Sequence, residues 1–276
     1  MKRELTLDEI REHWKNWATS YGTDLRATTK ASTAKRIELN TLVKTVKSIQ
    51  DSFSDEPKLL EIGCGNGHNL IALHERFPHF RLLGIDYIEE MIESAEKLRV
   101  ERGISTESVE FRVGNVLNLE NLSADYDLVY TVRCLINLNS DRLQQEAIFG
   151  ISRKIRSGGY LLMLENSANT YENQNRLRVL AGLEARTPAE FNHFINEDAL
   201  FGCLPAAGLE LVKTEDYISF HDIVLYVLLP MVNDGALDYG NPLVDAAARL
   251  SIAMSECGGG DLGQYGQNRL YLCLKH

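Results

Sequence analysis

Apolar residues recur at helical spacing from residue 4 to about residue 20, with Trp14, Trp17 and Tyr21 clustered late. The same spacing returns from residue 31 to about 49 through Ile37, Leu42, Val43 and Val46. Gly22-Thr23-Asp24 separates the two predicted helices, and the polar run 51–57 closes the second. From there the period changes. Short apolar runs at 59–62, 80–85, 109–113, 126–132 and 160–164 predict strands, and stretches 69–76, 88–102 and 142–155 predict helices. Gly158-Gly159 predicts a turn into the fifth strand. Strands separated by helices at this rhythm imply a parallel sheet covered on both faces, since parallel neighbours need a long crossover.

Beyond residue 167 the order loosens, with helices expected at 172–183, 197–207, 222–232 and 242–255 and strands at 209–218 and 270–274. The expected fold is α/β and doubly wound, with a mostly parallel seven-stranded sheet. Residues 1–56 are expected to form an N-terminal helical lid on an α/β domain spanning 57–276. Helical cap elements at about 168–207 and 221–262 would cover the carboxyl edge of the sheet, where open α/β sheets bind ligands.

Composition narrows the classes. The 276 residues carry a net charge of −10, which argues against nucleic acid as the main partner, because phosphate neutralisation needs a basic footprint. The first 50 residues run the other way, at +4, and hint at an anionic ligand nearby. Five scattered cysteines without CxxC spacing suggest neither a disulfide framework nor a zinc site. The N-terminus is too charged for a secretory leader. The longest apolar run, 223–232, contains Pro230 and is about half a membrane span. A cytoplasmic chain without a membrane partner is expected; the oligomeric state is left open.

The chemistry concentrates after the first strand, in Gly63-Cys64-Gly65-Asn66-Gly67. Glycines at a strand-to-helix bend let the backbone approach a ligand, and the helix start offers free N–H groups. About twenty residues on, Gly84-Ile85-Asp86 ends the second strand, and a carboxylate there can accept both ribose hydroxyls. A dinucleotide fingerprint needs its third glycine at position 68, which is His68. The third glycine here is Gly67, giving GxGxG preceded by Glu61.

That pattern resembles motif I of class I S-adenosylmethionine-dependent methyltransferases, and the likeness continues over roughly residues 57–165. Asp86-Tyr87 is similar to the family's ribose-binding acid and the residue beside it, and Met91 lies where an apolar side chain covers adenine. Gly114-Asn115-Val116 resembles the step after the third strand, whose side-chain oxygen receives the adenine amino group. Tyr126-Asp127-Leu128-Val129-Tyr130 resembles the fourth-strand motif leading to the transfer site. The resemblance implies S-adenosylmethionine bound by Glu61, Gly63, Cys64, Gly65 and Asn69, by Asp86, Tyr87 and Met91, and by Asn115, Val116, Leu117 and Val132. A lid helix would add Tyr21.

An acceptor hydroxyl or amine also needs a proton acceptor. Glu165, ending the fifth strand, is the leading candidate, with Arg133 after the fourth strand as an anion-binding partner. Asn137, Asn166, Tyr171 and Arg176 are the other expected substrate contacts. Glu165-Asn166 resembles the metal pair of catechol-type O-methyltransferases, but Arg133 stands where those enzymes carry another acid, so no metal is expected. His193 and His221, in the expected caps, are weaker candidates. The stretch Thr131-Val132-Arg133-Cys134 lacks the proline motifs of nucleic-acid methylases. The expected reaction is therefore methyl transfer to an oxygen or nitrogen of a small metabolite or sugar, an anionic one if Arg133 and the Arg176/Arg178 pair face it. The alternatives are a partner-dependent protein or RNA methyltransferase, or a non-catalytic cofactor-binding chain.

Overall fold

The computed structural model describes residues 5–258 and 262–276. The expected helix start at Glu4 lies outside them. The first described helix, α1 (Leu7–Tyr21), begins later because Thr6 and Glu9 form a reciprocal capping box that satisfies two free donors. Next comes α2 (Ser32–Ile49). The α/β core follows as β1 (Lys58–Ile62), α3 (His68–Arg76), β2 (Arg81–Asp86), α4 (Glu89–Glu101) and β3 (Val109–Val113). It continues as β4 (Tyr126–Val132), α5 (Asp141–Ser152), β5 (Ile155–Asn166), α6 (Ala168–Leu180), α7 (Glu197–Cys203) and β6 (Leu209–Asp216). The last elements are α8 (Ser219–Ile223), α9 (Leu229–Val232), α10 (Pro242–Glu256) and β7 (Asn268–Lys275).

The seven strands form one sheet in the order β3-β2-β1-β4-β5-β7-β6. Pairings are parallel from β3 through β5, and β7 runs antiparallel to both β5 and β6. The order reverses between β1 and β4, and that switch point opens a crevice at the carboxyl ends of the two strands.

Period-two alternation divides the core. Leu60, Ile62, Val129, Leu161 and Met163 pack on one face against Ala147, Ile148 and Ile151 of α5. Leu59, Leu128, Tyr130 and Leu162 pack on the other against Ile37, Leu42 and Val46 of α2 and Leu70 and Leu73 of α3.

Three expectations change here. Gly158-Gly159 is not a turn before the fifth strand but lies within β5, which starts at Ile155 and pairs with Tyr126 before the register shifts. A Cβ on Gly159 would meet Ile155 Cγ2 at 2.8 Å and Asp127 O at 2.9 Å, so this bulge requires glycine. Most of the expected lid is core: α2 buries its apolar stripe on the sheet, leaving α1 and the segment after it as cover. Parts of the expected caps are core as well. Leu200 and Cys203 of α7 join the α5 face of the sheet, and α10 lies beside α2, tied by an Arg36–Asp245 ion pair at 2.5 Å. The expected helix 222–232 is one path with a π-turn at Val224–Leu228, where the Leu229 N–H reaches back to Val224 O just ahead of Pro230, which has no N–H to give.

Candidate active site

A single cavity of about 590 Å³ lies over the switch point, within the usual range for small-molecule sites. Its floor is backbone. Gly63 N and Cys64 N donate to Ile85 O at 2.8 and 3.0 Å, holding the glycine turn against the end of β2. Gly63 has φ +74°, and a Cβ there would sit 2.5 Å from Cys134 Sγ, so no other residue fits without moving the turn. Asp86 ties the turn down. Its Oδ2 accepts Gly65 N at 2.8 Å and its Oδ1 accepts Ile88 N at 2.9 Å, while burial raises its carboxyl pKa. Gly67 precedes α3 in the left-handed region without a side-chain cap, which leaves the helix N-terminus to the backbone alone.

Gly63, Cys64, Gly65 and Asn69 line this half of the cavity. Asp86, Tyr87 and Met91 line it too; Met91 is buried, and Tyr87 lies open with the Arg11 guanidinium 4.8 Å from its ring centre. Asn115, Val116, Leu117 and Val132 complete it. The Asn115 Oδ1 already accepts Leu117 N at 2.9 Å in an Asx-type turn, which fixes the amide and leaves one lone pair.

Two expected cofactor contacts fall elsewhere. Glu61 points to the opposite face of β1 and does not line the cavity. It accepts Asn69 Nδ2 at 2.5 Å and the Tyr130 hydroxyl at 3.2 Å, and its burial pushes the carboxyl pKa up, so it positions Asn69 from beneath. Tyr21 lies past the end of the cavity, packed on Trp17 at 5.3 Å and under Arg26 at 5.2 Å. The residues that α1 does project into the cavity are His13, Trp14 and Trp17, together with Leu7, Asp8, Ile10 and Arg11.

The other half is built from side chains. Arg133 follows β4 with φ 52°, a strained value for a non-glycine residue, and lines the cavity. Its charge is compensated: Nε lies 2.7 Å from Glu38 Oε1, and Nη1 donates to Thr28 O at 2.9 Å. Glu38 is buried, accepts Asn268 Nδ2 at 2.6 Å and faces Lys35 Nζ at 3.8 Å, where burial lowers the lysine pKa. Arg133 is therefore part of a closed buried network rather than the open anion site expected of it.

Asn137 lines the chamber and fastens the lid. Its Nδ2 donates to Arg133 O at 2.9 Å while its Oδ1 accepts Trp14 Nε1 at 2.9 Å. Asn166 and Tyr171 also reach the chamber. Arg176 does not; it is exposed on the outer side of α6. The cap arginine that lines the cavity is Arg186.

Glu165 departs most from expectation. It is fully buried and its carboxylate turns beneath the segment after β4, accepting Cys134 N at 3.0 Å, Leu135 N at 3.1 Å and Ile136 N at 3.4 Å. It does not line the cavity, so it cannot meet an acceptor proton; desolvation nonetheless raises its pKa to about 7. Besides Glu38, which is engaged by Arg133, and Asp8 on α1, the chamber wall carries Asp222, whose Oδ2 accepts Gln267 N at 2.8 Å and whose Oδ1 lies 2.9 Å from His221 Nδ1. His221 is buried behind it, 2.9 Å from Thr33 Oγ1, and His193 pairs with Asp141 at 2.6 Å outside the cavity.

Some missed residues left a trace. Lys35 and Glu38 are polar positions interrupting the inward stripe of α2, which marks a buried network; Arg186, in the irregular connection between α6 and α7, left none.

A family model for a methyltransferase domain matches residues 53–200, more than half of the chain. The chain belongs to the class I S-adenosylmethionine-dependent methyltransferase family. It is 30% identical over 118 residues to a malonyl-[acyl-carrier protein] O-methyltransferase of Paenibacillus sp. (strain JDR-2), covering 42% of this chain and 41% of that one. It is 23% identical over 187 residues to a ubiquinone biosynthesis O-methyltransferase of Rickettsia bellii, covering 66% of this chain and 73% of the relative. The chain spans about half the length of the first curated relatives it matches. Magnesium protoporphyrin IX methyltransferase from Synechocystis PCC 6803, solved with bound S-adenosylhomocysteine, superposes with a TM-score of 0.61 at 13% identity, over 98% of this chain and 100% of that one; this likeness concerns the fold.

The residues present fit the family's cofactor. The Asp86 carboxylate keeps lone pairs facing the cavity, Met91 and Val116 offer apolar faces for a purine, and the glycine turn brings main chain to the cavity floor.

Proposed function

We propose that the protein transfers the methyl group of S-adenosylmethionine to an oxygen or nitrogen of a small molecule. The observation that carries this reading is the continuity of one cavity, from the glycine turn and Asp86 to a side-chain chamber beneath α1. Relatives named for O-methyl transfer in ubiquinone biosynthesis and to malonyl-[acyl-carrier protein] support it. When bound, the cofactor supplies a methyl group activated by a sulfonium, and the protein's share is alignment and exclusion of water.

Asp86 would accept the ribose hydroxyls, with Met91 and Val116 flanking the purine. The Trp14–Asn137 hydrogen bond holds α1 across the opening and limits water. Glu165 holds the main chain at 134–136, beside the transfer point, in one conformation. The group that faces the chamber and can hold a departing proton is Asp222, backed by His221.

The test is calorimetric titration with S-adenosylhomocysteine, followed by incubation of labelled S-adenosylmethionine with small-molecule extracts. Micromolar binding and transfer of label into a small product are expected. Absence of binding would sink the reading, and binding without transfer would favour a silent or partner-dependent protein.

A further inference from the structure

Arg186 is a cation held in place with nothing negative to meet it. The Asn175 side chain bonds both its N–H (2.8 Å) and its carbonyl (2.9 Å), which fixes the main chain. The guanidinium lies 3.6 Å from the centre of the Tyr226 ring and 5.5 Å from that of Tyr171, and its Nη1 donates to Gln174 Oε1 at 2.9 Å. Among the described residues it forms no ion pair, and its Nε–Nη2 edge donates to no protein acceptor. Its neighbour Arg178 does not neutralise it. That buried arginine donates only to the carbonyls of Glu184 and Tyr226, so two cations adjoin with no carboxylate between them.

Two adjoining cations repel, one of them buried, and an anion between them and the cavity would offset that repulsion. A second observation points the same way. The Tyr171 hydroxyl, beside Arg186 on the cavity wall, is buried near the Asn175 side chain but makes no hydrogen bond of good geometry to it.

The chamber's walls describe the rest of the ligand. Phe191 stacks on His13 at 4.1 Å and meets Trp14 edge-on at 5.4 Å, joining cap to lid, while Tyr171 meets Phe194 edge-on at 5.0 Å. Flat aromatic walls favour a flat aromatic occupant. The geometry of the nearest open cation bears on its charged group. Arg133 and Lys35 share Glu38, and Arg178 is spent on carbonyls. Lys30, over the Trp17 ring, and Arg11, over the Tyr87 ring, also line the cavity, so Arg186 is the free planar edge between Tyr171 and Tyr226. Such a planar edge matches a carboxylate bidentately.

We propose that Arg186 is a specificity-determining residue and that the methyl acceptor is a flat aromatic molecule bearing a carboxylate. This rests on reading the chamber as the acceptor half of a methyltransferase site. The test titrates 4-hydroxybenzoate, 3,4-dihydroxybenzoate and indole-3-carboxylate, each beside its methyl ester, with phenyl phosphate as a further probe. Each is measured on the free chain and on the chain saturated with S-adenosylhomocysteine.

At least one acid should bind tenfold or more tightly than its ester. Arg186→Gln should abolish that preference with S-adenosylhomocysteine affinity unchanged, and Arg186→Lys should retain part of it; thermal melts check that both variants fold. Equal binding of acids and esters, no binding by any acid, or an acid preference that survives Arg186→Gln overturns the proposal. Phenyl phosphate binding more tightly than every acid overturns the carboxylate assignment. An acid preference on a chain that fails to bind S-adenosylhomocysteine would keep the Arg186 site and remove the methyltransferase reading.

Discussion

The two halves of the cavity are made differently. The cofactor half is a product of strand ends: residues 61–117 deliver the glycine turn, Asp86, Met91 and Asn115 in chain order, and its central bonds run from main-chain N–H groups to one carboxylate. The acceptor half is assembled from Trp14, Lys35, Arg133, Arg186 and Asp222, which meet only because α1, α2 and the cap converge over the same edge. A half built on the sheet should tolerate side-chain changes until its one anchoring acid is lost. A half built on side chains should fail wherever a buried charge loses its partner.

The harshest test of that contrast is Glu38→Ala, which leaves the buried Lys35 and the partly buried Arg133 as neighbouring cations without their shared acid. A loss of about 3–5 kcal/mol of folding stability is expected in denaturant titrations. A loss under about 1 kcal/mol would mean the network is not a structural unit. Asp86→Ala should cost about 2–3 kcal/mol of S-adenosylhomocysteine binding, roughly a hundredfold in calorimetry, since it removes the acid and frees two main-chain donors. Retained affinity would contradict the account of the cofactor half.

Asp222→Asn should lower the turnover of a hydroxyl acceptor by about a hundredfold while leaving S-adenosylhomocysteine binding in place. Turnover within a few-fold of the parent chain would remove Asp222 as the proton acceptor.

The smallest effect is expected from Glu165→Gln, and it lies in the pH dependence of stability. Burial raises the folded-state pKa of Glu165 to about 7, so between the ordinary value of 4.5 and 7 the folded state binds the proton that the unfolded state releases. The contribution is then fully present below pH 4.5 and is lost as pH rises through 7. Subtracting the variant's stability from that of the parent should give a difference that falls across this window. A flat difference would show that Glu165 does not titrate there.

Legibility in the sequence followed the same division. The sheet, its seven strands and the glycine turn with Asp86 and Asn115 could be read from period-two runs and ordered motifs, because each depends on contacts near in sequence. Glu61 and Glu165 carried the right residue type at strand positions that suggested a site. A strand end fixes the position of a carboxylate but not what satisfies it. Three N–H groups of the turn after β4, about thirty residues earlier in the chain, claimed Glu165, and Asn69 with Tyr130 claimed Glu61. Arg133 and Arg176 were chosen as cations near the mouth, yet one found Glu38 and the other faces outward.

By itself the sequence determined the doubly wound sheet and the glycine turn, Asp86 and Asn115 that line the cavity at its carboxyl edge. Those follow from hydrophobic periodicity and from the conformations open to glycine, both local properties. Only the tertiary structure decided which charges are spent on one another and which remain for a ligand. Glu38 meets Arg133 across 95 positions of chain, while Arg186 forms no ion pair among the described residues. Charge compensation depends on distances in space, and sequence separation carries no information about them.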